Sequence, residues 1–167
     1  MLLFFKKAKN FCALRSAPLG VRGRRGGVMA FTLTAVVALI QVFDMPEALR
    51  FYCDVLGFAV VDASPTVEVP EGRFSHWVWL RRDAADLMLN TAYDAAERPP
   101  ARDAAREAAH GDTGLFIGCA DLDAVFARLQ LHGVAAEPPR VAPYGMRQLF
   151  VRDPDGYSLC LQSPVAT

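Results

Sequence analysis

The sequence predicts an α+β fold built from two tandem βαβββ units, and three observations carry that reading. Leu87-Met88-Leu89-Asn90 and Leu159-Cys160-Leu161-Gln162 share one alternating pattern, 72 positions apart. Each is preceded by a strand-helix-strand pattern whose helix starts on an aspartate (Asp44, Asp121) and stops on a glycine (Gly57, Gly133). Asp153-Pro154-Asp155-Gly156 then supplies a type I turn just ahead of the second closing strand. A repeat of this length is a duplicated module and not a solenoid.

The chain has 167 residues, 53% of them hydrophobic and 22% charged, which suits one domain with a sizeable core. Zero net charge hides an asymmetry. Residues 1–29 hold seven basic side chains and no acid, while the remainder holds 11 arginines against 18 carboxylates, a net charge of −7. Residues 1–29 therefore read as a basic extension, disordered or lying upstream of an initiator at Met29, with an organellar targeting peptide as the alternative. Residues 30–167 read as the folded domain. Its acidity argues against nucleic acid as a partner and mildly favours a cationic or neutral ligand. The apolar run 2–5 is too short to cross a membrane. Cys12, Cys53, Cys119 and Cys160 show no CxxC spacing, so no disulfide framework or zinc site is expected and a reducing cytoplasm is.

The first unit, about 32–92, opens with an apolar strand at 36–43. Asp44 is the expected N-cap and Glu47 closes a capping box. Ala48, Phe51, Tyr52, Val55 and Leu56 form the buried stripe of the helix that follows. After Gly57 a strand returns at 58–61, a polar loop is expected at 67–72, and strands follow at 74–80 and 87–90. The connection 93–112 is interrupted by Pro99-Pro100 and carries an alanine-rich helix at 101–109. The second unit, about 113–163, repeats the order: a strand at 115–119, Asp121 as N-cap, Leu122, Val125, Phe126 and Leu129 as the stripe, and Gly133 as the stop. The extended run at 147–152, the turn and the strand 158–162 close it. On that last strand Leu159 and Leu161 share the core face, and Ser158, Cys160 and Gln162 share the other.

The stretch FYCDVLGF at 51–58 and the turn DPDGY at 153–157, inside this repeat, make residues 33–163 similar to the vicinal oxygen chelate superfamily. That group includes glyoxalase I, extradiol dioxygenases, fosfomycin-resistance enzymes and bleomycin-resistance proteins. The resemblance implies a curved mixed sheet around a cavity, with helices on the convex side. It also implies a divalent metal held by His, Glu or Gln from four strand positions. Those positions carry over to Val37 and Gly114, each seven residues before a helix cap, and to Met88 and Cys160, each between the paired leucines of a closing strand. None is a ligand of the expected kind.

The expected function is therefore metal-free binding of a small molecule in the cavity or in a homodimer groove, with no cofactor. By alternation the cavity face carries Val37, Leu39, Gln41 and Phe43, then Met88 and Asn90, then Gly114, Phe116 and Gly118, and finally Ser158, Cys160 and Gln162. Of these, Gln41, Phe43, Met88, Asn90, Phe116, Cys160 and Gln162 are candidate ligand contacts. His76-Trp77-Val78-Trp79 puts His76 on one face and Trp77 and Trp79 on the other, and all three join the candidates as possible stacking or polar groups. Tyr144 and Arg147, flanking the last hairpin, complete the set. No nucleophile elbow, Walker loop or dinucleotide fingerprint is present. The alternative is a metal-dependent enzyme of the same superfamily, a lyase, dioxygenase or thiol transferase. A third reading is a structural or regulatory partner with a vestigial pocket.

Overall fold

The computed structural model describes residues 33–69, 72–94 and 97–165; the basic extension and its alternatives lie outside them. Two four-stranded sheets make up the fold. The first holds β1 (Ala38–Val42), β2 (Ala59–Ala63), β5 (Trp77–Arg82) and β6 (Ala85–Thr91), in the order β1-β6-β5-β2. The second holds β7 (Gly114–Gly118), β8 (Arg140–Val141), β9 (Met146–Arg152) and β10 (Ser158–Pro164), in the order β7-β10-β9-β8. In both, the last strand of the unit lies parallel to the first and antiparallel to its predecessor. This is the duplicated βαβββ topology expected from the repeat.

Besides shorter bounds for β1 and the linker helix, three details depart from the sequence reading. The loop expected at 67–72 is instead part of a hairpin, β3 (Thr66–Val69) with β4 (Gly72–Ser75). The strand expected at 74–80 is interrupted at His76, between the end of β4 at Ser75 and the start of β5 at Trp77. The second strand of the second unit shrinks to the two residues of β8, because Pro138 and Pro139 just ahead of it have no N–H to give a ladder.

Helix α1 (Met45–Leu49) starts where expected: the Asp44 carboxylate accepts the Glu47 N–H at 2.8 Å, and Pro46 occupies the first turn. The helix widens into a π-helical turn, Arg50–Val55, and ends at Gly57, whose φ of +75° lets the Phe58 N–H reach back to the Tyr52 carbonyl. A Cβ at Gly57 would also lie 2.6 Å from the Arg82 guanidinium, which bonds the Leu56 carbonyl. Helix α3 (Leu122–Leu131) follows the same scheme, capped by Asp121 onto Ala124 N–H and stopped at Gly133.

The apolar sides of both sheets belong to one cluster. It joins Ile40, Val42, Val78, Leu80, Leu87 and Leu89 to Leu149, Val151, Leu159 and Leu161, with Tyr52, Leu122 and Leu129 among the helix residues in it. Each such side chain contributes about 1.5–3 kcal/mol by leaving water.

Polar contacts fasten the halves where the 153–156 turn meets α1. Asp153 Oδ1 accepts its own turn's Asp155 and Tyr157 N–H groups, and its Oδ2 accepts the buried Tyr52 hydroxyl at 2.8 Å. Asp155 reaches across and accepts the Phe43 N–H from the other half at 2.8 Å. The connecting segment forms helix α2 (Ala104–Ala109), capped by Asp103, and straps this joint. From it Arg102 reaches Glu47, Asp155 and the Pro154 carbonyl, and His110 stacks on Tyr157 at 3.9 Å.

Candidate functional site

Each sheet has a second side, opposite the shared core, and the strand registers fix what stands there. On the first sheet Leu39, Met88 and Trp79 lie abreast across β1, β6 and β5. Gln41, Asn90 and Trp77 form the next row, and Asp86 and Arg81 pair on the other flank. Trp79 and Met88 are only 4% and 3% exposed, yet neither belongs to the core cluster. They are therefore buried within the open side. The Trp79 indole N–H donates to Asp86 at 2.9 Å, and Arg81 grips the same carboxylate while its guanidinium lies 5.4 Å from the indole centroid. The Trp79 ring is thereby fixed by its polar edge, as a buried floor to this side of the sheet.

The second sheet is built differently. Phe116, Cys160 and Phe150 lie abreast, flanked by the row Gly114-Ser158-Arg152 and the row Gly118-Gln162-Gln148. Cys160 is 1% exposed between phenylalanines that are 63% and 53% exposed. Burial pushes its thiol pKa up, which disfavours the thiolate needed for nucleophilic or metal chemistry. A polar chain borders this patch: the Tyr144 hydroxyl donates to Gln148 Oε1 at 2.9 Å, and Gln148 Nε2 donates to Gln162 Oε1 at 3.0 Å.

A metal does not fit the four family positions. Val37 has no donor atom, and Met88 brings only a buried thioether. Gly114 has no side chain, and the place of its Cβ is crowded by the Phe116 ring at 3.3 Å. Cys160 is a shielded thiol. Among the described residues, no three of His, Cys, Asp and Glu come together as a set able to hold a metal ion.

The structure gathers Gln41, Trp77, Trp79, Met88 and Asn90 on the open side of the first sheet, and Phe116, Cys160 and Gln162 on that of the second. Tyr144 joins the latter through Gln148. Three expected residues fall elsewhere. Phe43 lies beyond the end of β1, where the chain turns into the Asp44 cap, and its ring meets Tyr93 edge-on beneath the Arg98 and Arg102 guanidinium groups. His76 shares its side with the core residue Val78 and is buried against Phe74 and Tyr93. Thr91 gives its hydroxyl proton to the Tyr93 carbonyl, so it accepts from His76 Nδ1, 2.6 Å away, and the imidazole proton sits on that nitrogen. Arg147 has the parity of Leu149 and points to the helix side, where it makes two 2.7 Å bonds to Asp123 of α3 and holds that carboxyl below its ordinary pKa. The sequence reading passed over Gln148 and Phe150. Their signal was the hairpin register, in which Phe150 faces Cys160 and Gln148 faces Gln162.

Comparison with known proteins gives this geometry a family context. A model of the Glyoxalase/Bleomycin resistance protein/Dioxygenase superfamily matches residues 33–161. The uncharacterized protein YaeR of Escherichia coli strain K12 is 35% identical over 128 residues, 74% of this chain and 89% of that protein. TnmS3, an antibiotic binding protein from Streptomyces sp. CB03234, is 30% identical and superposes with a TM-score of 0.56 over 82% of this chain and 99% of its own. A lactoylglutathione lyase from Agrobacterium tumefaciens shares the fold at 21% identity, with a TM-score of 0.53 over 78% of this chain and 94% of its own. No helix among the described residues is long and apolar enough to cross a membrane.

Proposed function

Starting from the fact that the chain belongs to the Glyoxalase/Bleomycin resistance protein/Dioxygenase superfamily, we propose that it is a metal-free binding protein for a small, planar, largely apolar molecule. The observation that carries this reading is the row Leu39-Met88-Trp79, with its two inner members buried outside the core. An apolar platform with a few amides at its edge is how a small-molecule site is built. Here the half-buried Trp77 stacks on the ligand above a floor of Trp79 and Met88, and Asn90 and Gln41 answer its polar edge. TnmS3, described as an antibiotic binding protein, supports a small-molecule ligand.

The second sheet supplies the cover. Phe116 and Phe150 form an exposed aromatic patch complementary in character to the first sheet's platform. In a homodimer, the patch of one copy closes over the platform of the other, and the ligand lies between them. Free Cys53, Cys119 and Cys160 suit a reducing cytoplasm. The metal-dependent enzyme reading has the shared fold in its favour and lacks a donor set among the described residues.

The chain has two tryptophans, and both stand on the platform, so intrinsic emission reports on this site alone. Titration with a panel of planar aromatic compounds is expected to give saturable quenching and a raised Tm, on a species whose scattering mass is that of a dimer. The reading fails if no compound quenches and a divalent metal instead binds stoichiometrically and raises the Tm.

A further inference from the structure

Gln41, Asn90 and Trp77 stand abreast on the open side of the first sheet, as partners on β1, β6 and β5. Neighbouring strands are about 4.8 Å apart, so one small molecule can touch all three. Each side chain is half-buried. Each of the two amides has one end already bonded, and the bonding partner fixes which end it is. From α2, Arg106 Nη2 reaches the Gln41 side chain at 3.1 Å and the Gln41 main-chain carbonyl at 3.4 Å. A guanidinium can only donate, so the Gln41 atom facing it is Oε1 and the end left over is Nε2. The Asn90 side chain meets the Thr91 carbonyl at 2.6 Å. A carbonyl can only accept, so the atom facing it is Nδ2 and the end left over is Oδ1.

The row therefore presents a donor, Gln41 Nε2, beside an acceptor, Asn90 Oδ1. Neither atom has a hydrogen-bond partner among the described residues, and neither is buried. Solvated atoms of this kind cost the free protein nothing. A flat ligand lying over Trp77 covers them, and each then needs a complementary group on the ligand's edge. A ligand without that group leaves a desolvated donor or acceptor unpaired, which is how a polar site rejects a close analogue.

We propose that this pair selects a planar ring with an amide edge, a lactam or a ring carboxamide. Its carbonyl oxygen accepts from Gln41 Nε2, and its N–H donates to Asn90 Oδ1. The inference rests on the platform reading and narrows its ligand from any planar molecule to one with this edge. It also fixes the ligand's direction, with the carbonyl toward β1 and the N–H toward β6. Arg106 is then a positioning residue. It holds the Gln41 amide by its oxygen and keeps the N–H end turned to the ligand.

Three flat bicyclic probes of similar size, titrated by calorimetry into the full chain, test this. Carbostyril is a lactam with the required edge. Coumarin has the same shape with a ring oxygen in place of the N–H, and naphthalene has neither polar group. Carbostyril is expected to bind about tenfold or more tighter than coumarin, whose ring oxygen would meet Asn90 Oδ1 lone pair to lone pair, and tighter than naphthalene by at least as much. Equal binding of all three would overturn this proposal and leave the platform standing. Binding of none would overturn both. Gln41→Glu keeps the shape and the bond to Arg106 but presents an oxygen where Nε2 stood. It should weaken carbostyril by about tenfold and leave naphthalene unchanged, whereas a merely structural role would move both alike. Arg106→Ala frees the Gln41 amide to turn and should lower the carbostyril-to-naphthalene ratio, with Arg106→Lys restoring it. An unchanged ratio in the glutamate variant would overturn the proposal. If that variant does not fold, the carbostyril-to-coumarin ratio on the natural chain decides.

Discussion

The open sides of the two sheets share a topology and differ in everything that topology does not dictate. In the first, the middle row is large and buried, with Trp79 fixed by Asp86. In the second, the middle row is a small thiol between two exposed phenylalanines, with glycines at both ends of β7. The opposite sides are alike, since both contribute leucine and valine rows to one core. Duplication has kept the half of each strand that folds the protein and let the other half diverge.

The sharpest way to break this comparison is to truncate one aromatic on each side. Trp79→Ala removes a buried ring and its hydrogen bond, and is expected to cost about 3–5 kcal/mol and to abolish ligand quenching. Phe150→Ala removes a half-exposed ring and is expected to cost under about 1 kcal/mol in stability while weakening dimer and ligand binding. Urea unfolding at fixed protein concentration measures both. Equal stability losses would show that the two sides are built alike after all.

The joint offers a test that treats the halves as one body. Burial raises the Asp153 pKa to about 6, against the bonds from Tyr52 and the turn N–H groups, which lower it. The folded state thus holds this proton more tightly than the unfolded chain does. The resulting stability is fully present below about pH 4 and is lost as pH rises through about 6, a change of about 3 kcal/mol. Asp155, also raised, acts in the same direction. Unfolding free energies between pH 4 and 7 should therefore decline, and Asp153→Asn should flatten the decline while leaving the part due to Asp155. A slope of the opposite sign would mean that the hydrogen bonds outweigh burial.

How far the sequence reveals this arrangement depends on the distance over which residues interact. Helix caps, stop glycines and the leucine pairs act within a few positions, and they specify both units and the parity of β6 and β10. Parity also held the answer for two misplaced candidates: Arg147 lies two residues before Leu149 and His76 two before Val78, each on the core side. Phe43 was misplaced because alternation ends with β1, one residue earlier. Phe150 and Gln148 needed the hairpin register. The strap was the least legible part, because Arg102 reads as an ordinary linker charge until its partners, 52–55 positions away, are brought beside it.

Arg147 gives the smallest expected effect and the finest discrimination between the two sides of β9. Its pair with Asp123 is well aligned but solvent-exposed, so salt screens it and its contribution is minor. Arg147→Ala should lower the urea midpoint slightly at low ionic strength and not at all in molar salt, with ligand quenching unchanged. Gln148→Ala, one residue along and on the other side, should do the reverse. It leaves Tyr144 and Gln162 without their shared partner and should weaken ligand binding in a way that salt does not restore. If both variants weakened binding alike, the ligand would be reaching the helix side of β9, and the division of each strand into a folding side and a binding side would fail at this strand.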